Sequence, residues 1–194
     1  MLTDQAMDIV FRAARTYTAW EDRDVTETQI HAIADLMKYG PTSANSCPAR
    51  FLFIKSKESK ERLRPHLDSG NVEKTMKAPV TAIIAYDLKF YERLPKLFPH
   101  SPDALNWFKG KTEKIEETAF RNGSLQGAYL IIAARALGLD CGPMSGFNPA
   151  GVKQEFFADE DVYPNFLCNI GYGDSSALHP RSPRLDFDEY CKIL

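Results

Sequence analysis

The chain has 194 residues, of which 44% are hydrophobic and 26% charged, and its formal net charge is -2. This composition supports one domain with a real core, and it excludes the basic excess of a nucleic-acid-binding or membrane-surface protein. No run reaches the ~20 apolar residues of a membrane span, and the N-terminus lacks the pattern of a secretory signal peptide.

The cysteines and histidines of the chain predict no metal site. The four cysteines, at positions 47, 141, 168 and 191, lie far apart and form no CxxC pair. The four histidines are equally scattered, so the spacing typical of zinc ligands is missing. We therefore expect reduced thiols and a cytoplasmic protein.

The first half of the chain alternates predicted helices with short apolar strands, without internal repeats. Thr3 is predicted to cap a first helix, and Thr26 with Gln29 forms a capping box for a second helix that ends at Gly40. The segments "RFLFIK" and "APVTAIIAYD" are predicted strands, because they are apolar and rich in β-branched and aromatic residues. A charged helix that breaks at Pro65 separates them.

The segment from about Asp87 to Gly110 has a different character. The stretch "YERLPKLFPHSPDALNWFKG" carries three prolines and four large aromatic residues with little periodicity. We interpret this segment as an irregular, lid-like insertion. Its aromatic side chains either cover a bound ligand or pack in the core.

A long helix is predicted in "KIEETAFRNGSLQGAYLIIAARALG", with Gly138 as its stop. Between Leu125 and Leu137 it is apolar on nearly every side, apart from Gln126 and Arg135. Such a helix is buried all round, either in the centre of a domain or in a dimer interface.

The last third of the chain completes an α+β pattern. The segments "LDCGPMSGFN" and "NFLCNIGYG" are predicted strands, and Asn148 with Pro149 begins a helix between them. The tail, residues 174–194, has no core of its own and is expected to pack on the body or on a partner chain. A few strands with helices around them define the fold class as α+β.

Polar segments at the ends of these elements are the candidates for a ligand site. No GxGxxG, GxxxxGK[ST] or GxSxG motif occurs. Arg15 in "ARTYTAW" and Arg181 with Arg184 in "PRSPR" together fit a phosphate clamp, whereas each arginine taken alone is better explained as a solvated surface charge. The turn in "PMSGF" can present backbone N–H groups to a ligand, or it is a plain tight turn.

In chain order, the segments "RTY", "PTSANSCP", "GPMSGF" and "NIGYGD…PRSPR" resemble the signature set of the nitroreductase-like FMN-dependent oxidoreductases. The likeness covers nearly the whole chain. The stretches "KYGPTSANSCPARF", "GNVEKTMKAPVTAIIAYD" and "FRNGSLQGAYLIIAARALGLDCGPMSGF" are similar to the malonic semialdehyde reductase branch of that family and its 3-hydroxypropionate-dehydrogenase-like relatives.

This resemblance implies a single nitroreductase-like FMN-binding domain over residues 1–194. The implied fold is a central, mostly antiparallel sheet surrounded by helices, in an intertwined homodimer with FMN at the subunit interface. The apolar helix would form the dimer core, and residues 174–194 would pack on the partner subunit. The implied reaction is ping-pong hydride transfer from NADH or NADPH through flavin N5 to a small electrophile.

The resemblance also implies roles for individual residues. Arg15, Arg181 and Arg184 would hold the FMN phosphate, and Asn45 would bond the pyrimidine edge. The backbone of Ser145 and Gly146 would face flavin N5, and no side chain is identified as catalytic or as a metal ligand. The full implied cofactor-binding set is Arg15, Thr16, Tyr17, Pro41, Thr42, Ser43, Asn45, Pro143, Met144, Ser145, Gly146, Arg181 and Arg184.

The implied acceptor is malonic semialdehyde, which would be reduced to 3-hydroxypropionate. Ala19 stands where many family members place a cation near the flavin ring, which weakens the expectation of a nitroaromatic preference. Arg50 or Arg121 would bind the acceptor carboxylate, or each forms an ordinary salt bridge. The alternatives are a broad-specificity nitro, quinone or enone reductase, a flavin-binding dimer without significant turnover, and an α+β interaction domain without flavin.

Overall fold

The structure, a computed structural model, describes residues 1–194. Four strands form one sheet in the order β1-β2-β4-β3, and every neighbouring pair is antiparallel. The strands are β1 (Ala49–Ile54), β2 (Val80–Asp87), β3 (Asp140–Met144) and β4 (Val162–Gly171). The α-helices are α1 (Asp4–Met7), α2 (Glu27–Met37), α3 (Lys57–Leu63), α4 (Ser69–Lys77), α5 (Leu94–Leu97), α6 (Thr112–Ala136), α7 (Pro149–Phe156) and α8 (Phe187–Tyr190). The predicted antiparallel sheet surrounded by helices is confirmed.

Both faces of the sheet are covered, because β2 and β4 are apolar on both sides. On one face, Leu130 and Ala134 of α6 pack against Ile84 of β2. On the other face, Leu63 of α3 and Val152 of α7 lie in a second buried cluster. Full burial of each large aliphatic side chain contributes roughly 1.5–3 kcal/mol, so these two layers hold the sheet in place. Helix α6 contacts all four strands and is the central helix of the fold.

The helix boundaries follow local signals in the sequence. The capping box predicted for α2 is formed between Thr26 and Gln29. Gly138 ends α6 with a φ of 76°, which a residue with a side chain rarely adopts. The side chain of Asn148 accepts a hydrogen bond from Gly151 N at 3.1 Å and so caps α7. These three predictions are confirmed.

The segment from Asp87 to Gly110 is folded into short helical turns around α5. Phe90, Leu94 and Phe108 form a buried cluster with Ala119 of α6. Phe108 therefore packs in a core, whereas Trp107 is exposed. The segment rests on α6 through its own small hydrophobic centre.

Apolar side chains remain exposed on the outer face of α6 and in the tail. Phe120 is 52% exposed, and Leu125 is 47% exposed although it begins the stretch Leu125 to Leu137 that was predicted to be buried all round. In the tail, Leu185, Phe187 and Ile193 are exposed as well. No helix of the chain is both long and apolar enough to cross a membrane.

Candidate active site

Three predicted phosphate ligands lie together at the C-terminal end of α6. Arg15, Arg181 and Arg184 line one cleft of about 320 Å³, which we call the arginine cleft. Arg15 Nη2 donates a hydrogen bond to the carbonyl of His179 at 2.5 Å. Arg181 Nη2 donates to two carbonyls of the segment before Arg15, each at 3.0 Å. These bonds hold the tail against the N-terminal segment, so that Arg15 and Arg181 share one cleft with Arg184.

A fourth arginine enters the cleft from the last turn of α6. Arg135 Nη1 donates to Val10 O at 3.2 Å, but its Nε is buried and has no hydrogen-bond partner. Sequence reasoning missed Arg135, because it was only a polar exception in an apolar helix. A buried, unpaired donor beside three other cations is unusual, since more than nine in ten buried polar groups are hydrogen-bonded.

The electrostatics of the arginine cleft favour an anionic ligand. No carboxylate lines the cleft, and none lies within ion-pair distance of its four arginines. Guanidinium groups match the oxygens of phosphate in geometry as well as in charge. The arrangement therefore suits a group that carries more than one negative charge.

The N-terminal motif continues from the cleft along β3. Thr16 forms a parallel bridge with Cys141, and Tyr17 N donates to Cys141 O at 3.1 Å. Burial, helped by the carboxylate of Asp140, raises the pKa of Tyr17, so the phenol stays protonated. The motif thus connects the arginine cleft to the strand that leads into the predicted Ser-Gly turn.

The turn after β3 offers backbone donors, as predicted. The N–H groups of Ser145 and Gly146 donate no hydrogen bond within the chain. The carbonyl of Gly146 accepts from Asp68 N at 3.1 Å and from Asn71 Nδ2 at 2.6 Å. A Cβ on residue 146 would collide with the Asn71 side chain, so only glycine allows this close approach.

Asp68 and Asn71 are therefore further candidates that sequence reasoning did not single out. They lie at the N-terminal end of α4, a helix that was not predicted. The stretch that contains Asn71, "GNVEKTMKAPVTAIIAYD", was among those that resemble the family, but its polar pattern gave no helix signal. Only the fold brings the Asn71 amide to the Ser-Gly turn.

The loop "PTSANSCP" carries backbone strain. Ala44, Asn45 and Cys47 have φ values of 52°, 47° and 42°, in the left-handed region that disfavours residues with side chains. Each such residue costs on the order of 1–3 kcal/mol and persists only where its surroundings impose it. Strain of this kind clusters at functional sites. The buried hydroxyl of Ser46 also lacks a partner.

Helix α6 imposes this loop conformation. Ser43 N donates to Asn122 Oδ1 at 2.8 Å, and Ala49 N donates to Gln126 Oε1 at 2.8 Å. The side chain of Asn45 donates to Leu97 O at 2.8 Å, which ties the loop to α5.

One chain does not bring all the predicted ligands together. The loop is fixed at Asn122 and the arginine cleft contains Arg135, about 13 residues further along α6. At 1.5 Å per residue, roughly 20 Å of helix separates them. Thr16 joins the arginines in the cleft, and Tyr17 connects this group to β3, which contains Pro143 and Met144 and leads into the turn at Ser145. Pro41, Thr42, Ser43 and Asn45 form a separate group.

The two arginines considered for an acceptor carboxylate both form ion pairs. The Arg50 guanidinium pairs with the largely buried carboxylate of Asp87, and its Nη1 donates to Ala49 O at 2.7 Å. Arg121 pairs with Glu117 one turn away on the exposed face of α6. In the folded chain, both arginines therefore form the salt bridges that were the alternative to carboxylate binding.

Comparison with known proteins identifies the class to which this fold and cleft belong. The chain belongs to the Nitroreductase family, whose model matches residues 12–172. The expected family, fold and type of enzyme are confirmed at this level.

Individual relatives extend over the whole chain. A protein of Burkholderia lata, provisionally named NADH dehydrogenase/NAD(P)H nitroreductase, is 58% identical over 192 residues, with 99% of this chain and 98% of the relative covered. A similarly named protein of Polynucleobacter asymbioticus is 59% identical over 194 residues, covering 100% and 98%. A solved structure from Exiguobacterium sibiricum, described as a nitroreductase in complex with FMN, superposes with a TM-score of 0.88 at 21% identity and covers 100% and 99%.

Proposed function

We propose that this chain is an FMN-dependent NAD(P)H oxidoreductase, with residues 1–194 as one FMN-binding domain. The observation that carries the proposal is the arginine cleft, in which four guanidinium groups converge without a carboxylate. Family membership, the names of the Burkholderia and Polynucleobacter relatives and the FMN of the Exiguobacterium structure support it. The cytoplasmic location remains a prediction.

The residues of the site fit FMN. The unpaired Arg135 Nε and the neighbouring arginines suit the phosphate, and the free N–H groups of Ser145 and Gly146 suit a ring with hydrogen-bond acceptors at its edge. Asn71 is the side-chain amide bonded to this turn. Asn45 remains a candidate for the pyrimidine edge only if its loop approaches the cofactor from another chain.

When bound, FMN supplies a redox centre that takes a hydride at N5 and releases it to an acceptor. In the overall reaction, NAD(P)H loses a hydride, and an aldehyde gains that hydride at carbon and a proton at oxygen to become an alcohol. The chain positions the cofactor, and its backbone donors stabilise negative charge on the ring edge. No side chain of the site needs to act as a nucleophile, and water is a sufficient proton source.

We also propose that the active form is a homodimer. The exposed apolar face of α6, with Phe120 and Leu125, needs a cover, because large exposed apolar patches mark interaction surfaces. The apolar tail beyond Leu185 needs one as well. A second copy would also supply the "PTSANSCP" loop that one chain holds away from its own arginine cleft. The expected packing of residues 174–194 on the partner follows from the same argument.

For the acceptor we propose malonic semialdehyde, reduced to 3-hydroxypropionate. The sequence stretches that resemble the malonic semialdehyde reductase branch support this choice. A broad-specificity nitro or quinone reductase is the second candidate, and the names of the Burkholderia and Polynucleobacter relatives favour it.

An absorbance experiment in one cuvette tests these steps in turn. The protein is loaded with FMN, freed of excess cofactor, and treated without oxygen with NADPH or NADH, then with malonic semialdehyde. Flavin bands that bleach and then return would support the whole proposal. Flavin bands that bleach and do not return would support the oxidoreductase activity but exclude the aldehyde as acceptor. A quinone or nitro compound would then be tested in its place. A protein that does not retain FMN would refute the proposed function.

A further inference from the structure

A second cavity lies beside the strained loop, away from the arginine cleft. It has a volume of about 580 Å³ and lies between the end of the "PTSANSCP" loop and α5. The loop and β1 contribute Cys47, Ala49 and Arg50 to its lining, and the segment around α5 contributes Arg93, Lys96 and Leu97. We call it the Cys47 cavity. Because Asn45 bonds Leu97 O, the loop and α5 are held together as its walls.

The charge of the Cys47 cavity is positive. Lys96 has no carboxylate within ion-pair distance, and Arg93 forms only a long ion pair, with 3.9 Å between its Nη2 and Asp87 Oδ2, which is beyond hydrogen-bond range. The carboxylate of Asp87 is already occupied, since it pairs with Arg50 and accepts from Lys89 N at 2.7 Å. The Glu92 carboxylate also lines the cavity, and it is outweighed by the three cations of the lining, Arg50, Arg93 and Lys96.

The cavity also has a neutral donor on a largely buried side chain. Gln126 is 9% exposed and lines the cavity from α6. Its Oε1 accepts from Ala49 N at 2.8 Å, which fixes the orientation of the amide. The amide nitrogen of Gln126 donates no hydrogen bond within the chain. An oriented donor without an acceptor, next to Arg93 and Lys96, is suited to the oxygens of a carboxylate.

We propose that the Cys47 cavity binds the carboxylate of an anionic acceptor, with Arg93 and Lys96 supplying charge and Gln126 a hydrogen bond. The inference rests on the proposed function in that only an oxidoreductase needs an acceptor subsite. It assigns carboxylate recognition to Arg93 and Lys96, which have no carboxylate within hydrogen-bond range. Arg50 also lines the cavity, but it is bonded to Asp87, and Arg121 is bonded to Glu117 outside the cavity. The acceptor class is a small carboxylate-bearing aldehyde or enone.

The test uses malonate as an unreactive carboxylate and p-benzoquinone as a neutral acceptor. With FMN-loaded protein and NADPH, malonate is expected to inhibit quinone reduction. In the double variant Arg93→Gln/Lys96→Gln, the inhibition constant of malonate is expected to rise about 10- to 100-fold, as expected for two partly exposed charge-assisted bonds. The kcat/KM for the quinone should stay within about threefold, because a neutral acceptor does not use these charges.

Lys109→Gln is the matched control, since Lys109 is an exposed cation of the same segment that does not line the cavity. An unchanged inhibition constant in the double variant, or an equal rise in Lys109→Gln, would overturn the inference. If NADPH does not reduce the bound FMN, the proposed function is wrong. Calorimetric titration with malonate then tests carboxylate binding in the Cys47 cavity without any turnover. Malonate that binds the wild type and not the double variant would support the cavity, and malonate that binds neither would reject it.

Discussion

Replacing Arg135 with glutamine isolates the part of cofactor affinity that depends on phosphate. The unpaired Nε of Arg135 fits a phosphate oxygen, and a hydrogen bond to a charged group is worth about 1.5–3 kcal/mol. The dissociation constant of FMN is therefore expected to rise about 10- to 100-fold in Arg135→Gln. Riboflavin lacks the phosphate, so its affinity should change less than about threefold. Loss of the bond to Val10 O should lower stability by only about 1 kcal/mol.

The assay is titration of FMN-free protein with each flavin, followed by flavin fluorescence at low and high salt. Arg23→Gln is the control, because Arg23 stacks on Tyr172 outside the arginine cleft. The salt dependence of FMN binding should be weaker in Arg135→Gln than in the control, since one cation fewer faces the phosphate. Equal weakening of FMN and riboflavin binding would assign Arg135 a structural role. Unchanged affinity for both flavins would refute the assignment of Arg135 to the phosphate.

Three further predictions concern the turn, the dimer and a buried lysine. Gly146→Ala should displace Asn71 and weaken the binding of FMN and of riboflavin alike, by about tenfold or more. Gly70→Ala should leave binding unchanged, because a Cβ there meets nothing within 4 Å. Equal titration curves for the two variants would contradict this. Leu125→Glu should halve the mass measured by light scattering and release FMN, whereas Ala150→Glu, at another exposed helical position, should do neither. A dimer that persists in Leu125→Glu would count against the α6 interface. Burial lowers the pKa of Lys60 to about 8, below its value in the unfolded chain. At pH values between these two pKa values the unfolded chain binds more protons than the folded chain, so the free energy of unfolding rises with pH in that range. From about pH 8 to about pH 10, the free energy of unfolding of the wild type relative to Lys60→Met should rise by about 2 kcal/mol; a constant difference in denaturant titrations would disprove the shift.

The elements predicted correctly are those that local signals specify. The capping box at Thr26 and the glycine stop at Gly138 depend on a few neighbouring residues, so they can be read before the fold is known. The apolar strands are equally local, because burial on both faces leaves nearly continuous runs of β-branched residues.

Features that depend on contacts between residues far apart in the sequence were not predicted. Helix α4 has Gly70 and Asn71, two poor helix formers, in its first turn, and no side chain caps its start, so its beginning has only weak local signals. Helix α4 becomes part of the candidate site through the hydrogen bond from Asn71 to Gly146, which lies far from it in the sequence. Arg135 was missed for the same reason, because its significance lies in the three other arginines that the fold brings beside it.

The separation of the "PTSANSCP" loop from the arginine cleft along α6 has a consequence for mixtures of defective chains. If each site combines the loop of one chain with the cleft of its partner, a chain altered at Arg15 and a chain altered at Ser43 complement each other. Their mixed dimer would place both lesions in one site and leave the other site wild type. Random re-pairing of two inactive preparations would then restore about a quarter of the sites, a rescue that no chain with a self-contained site can show.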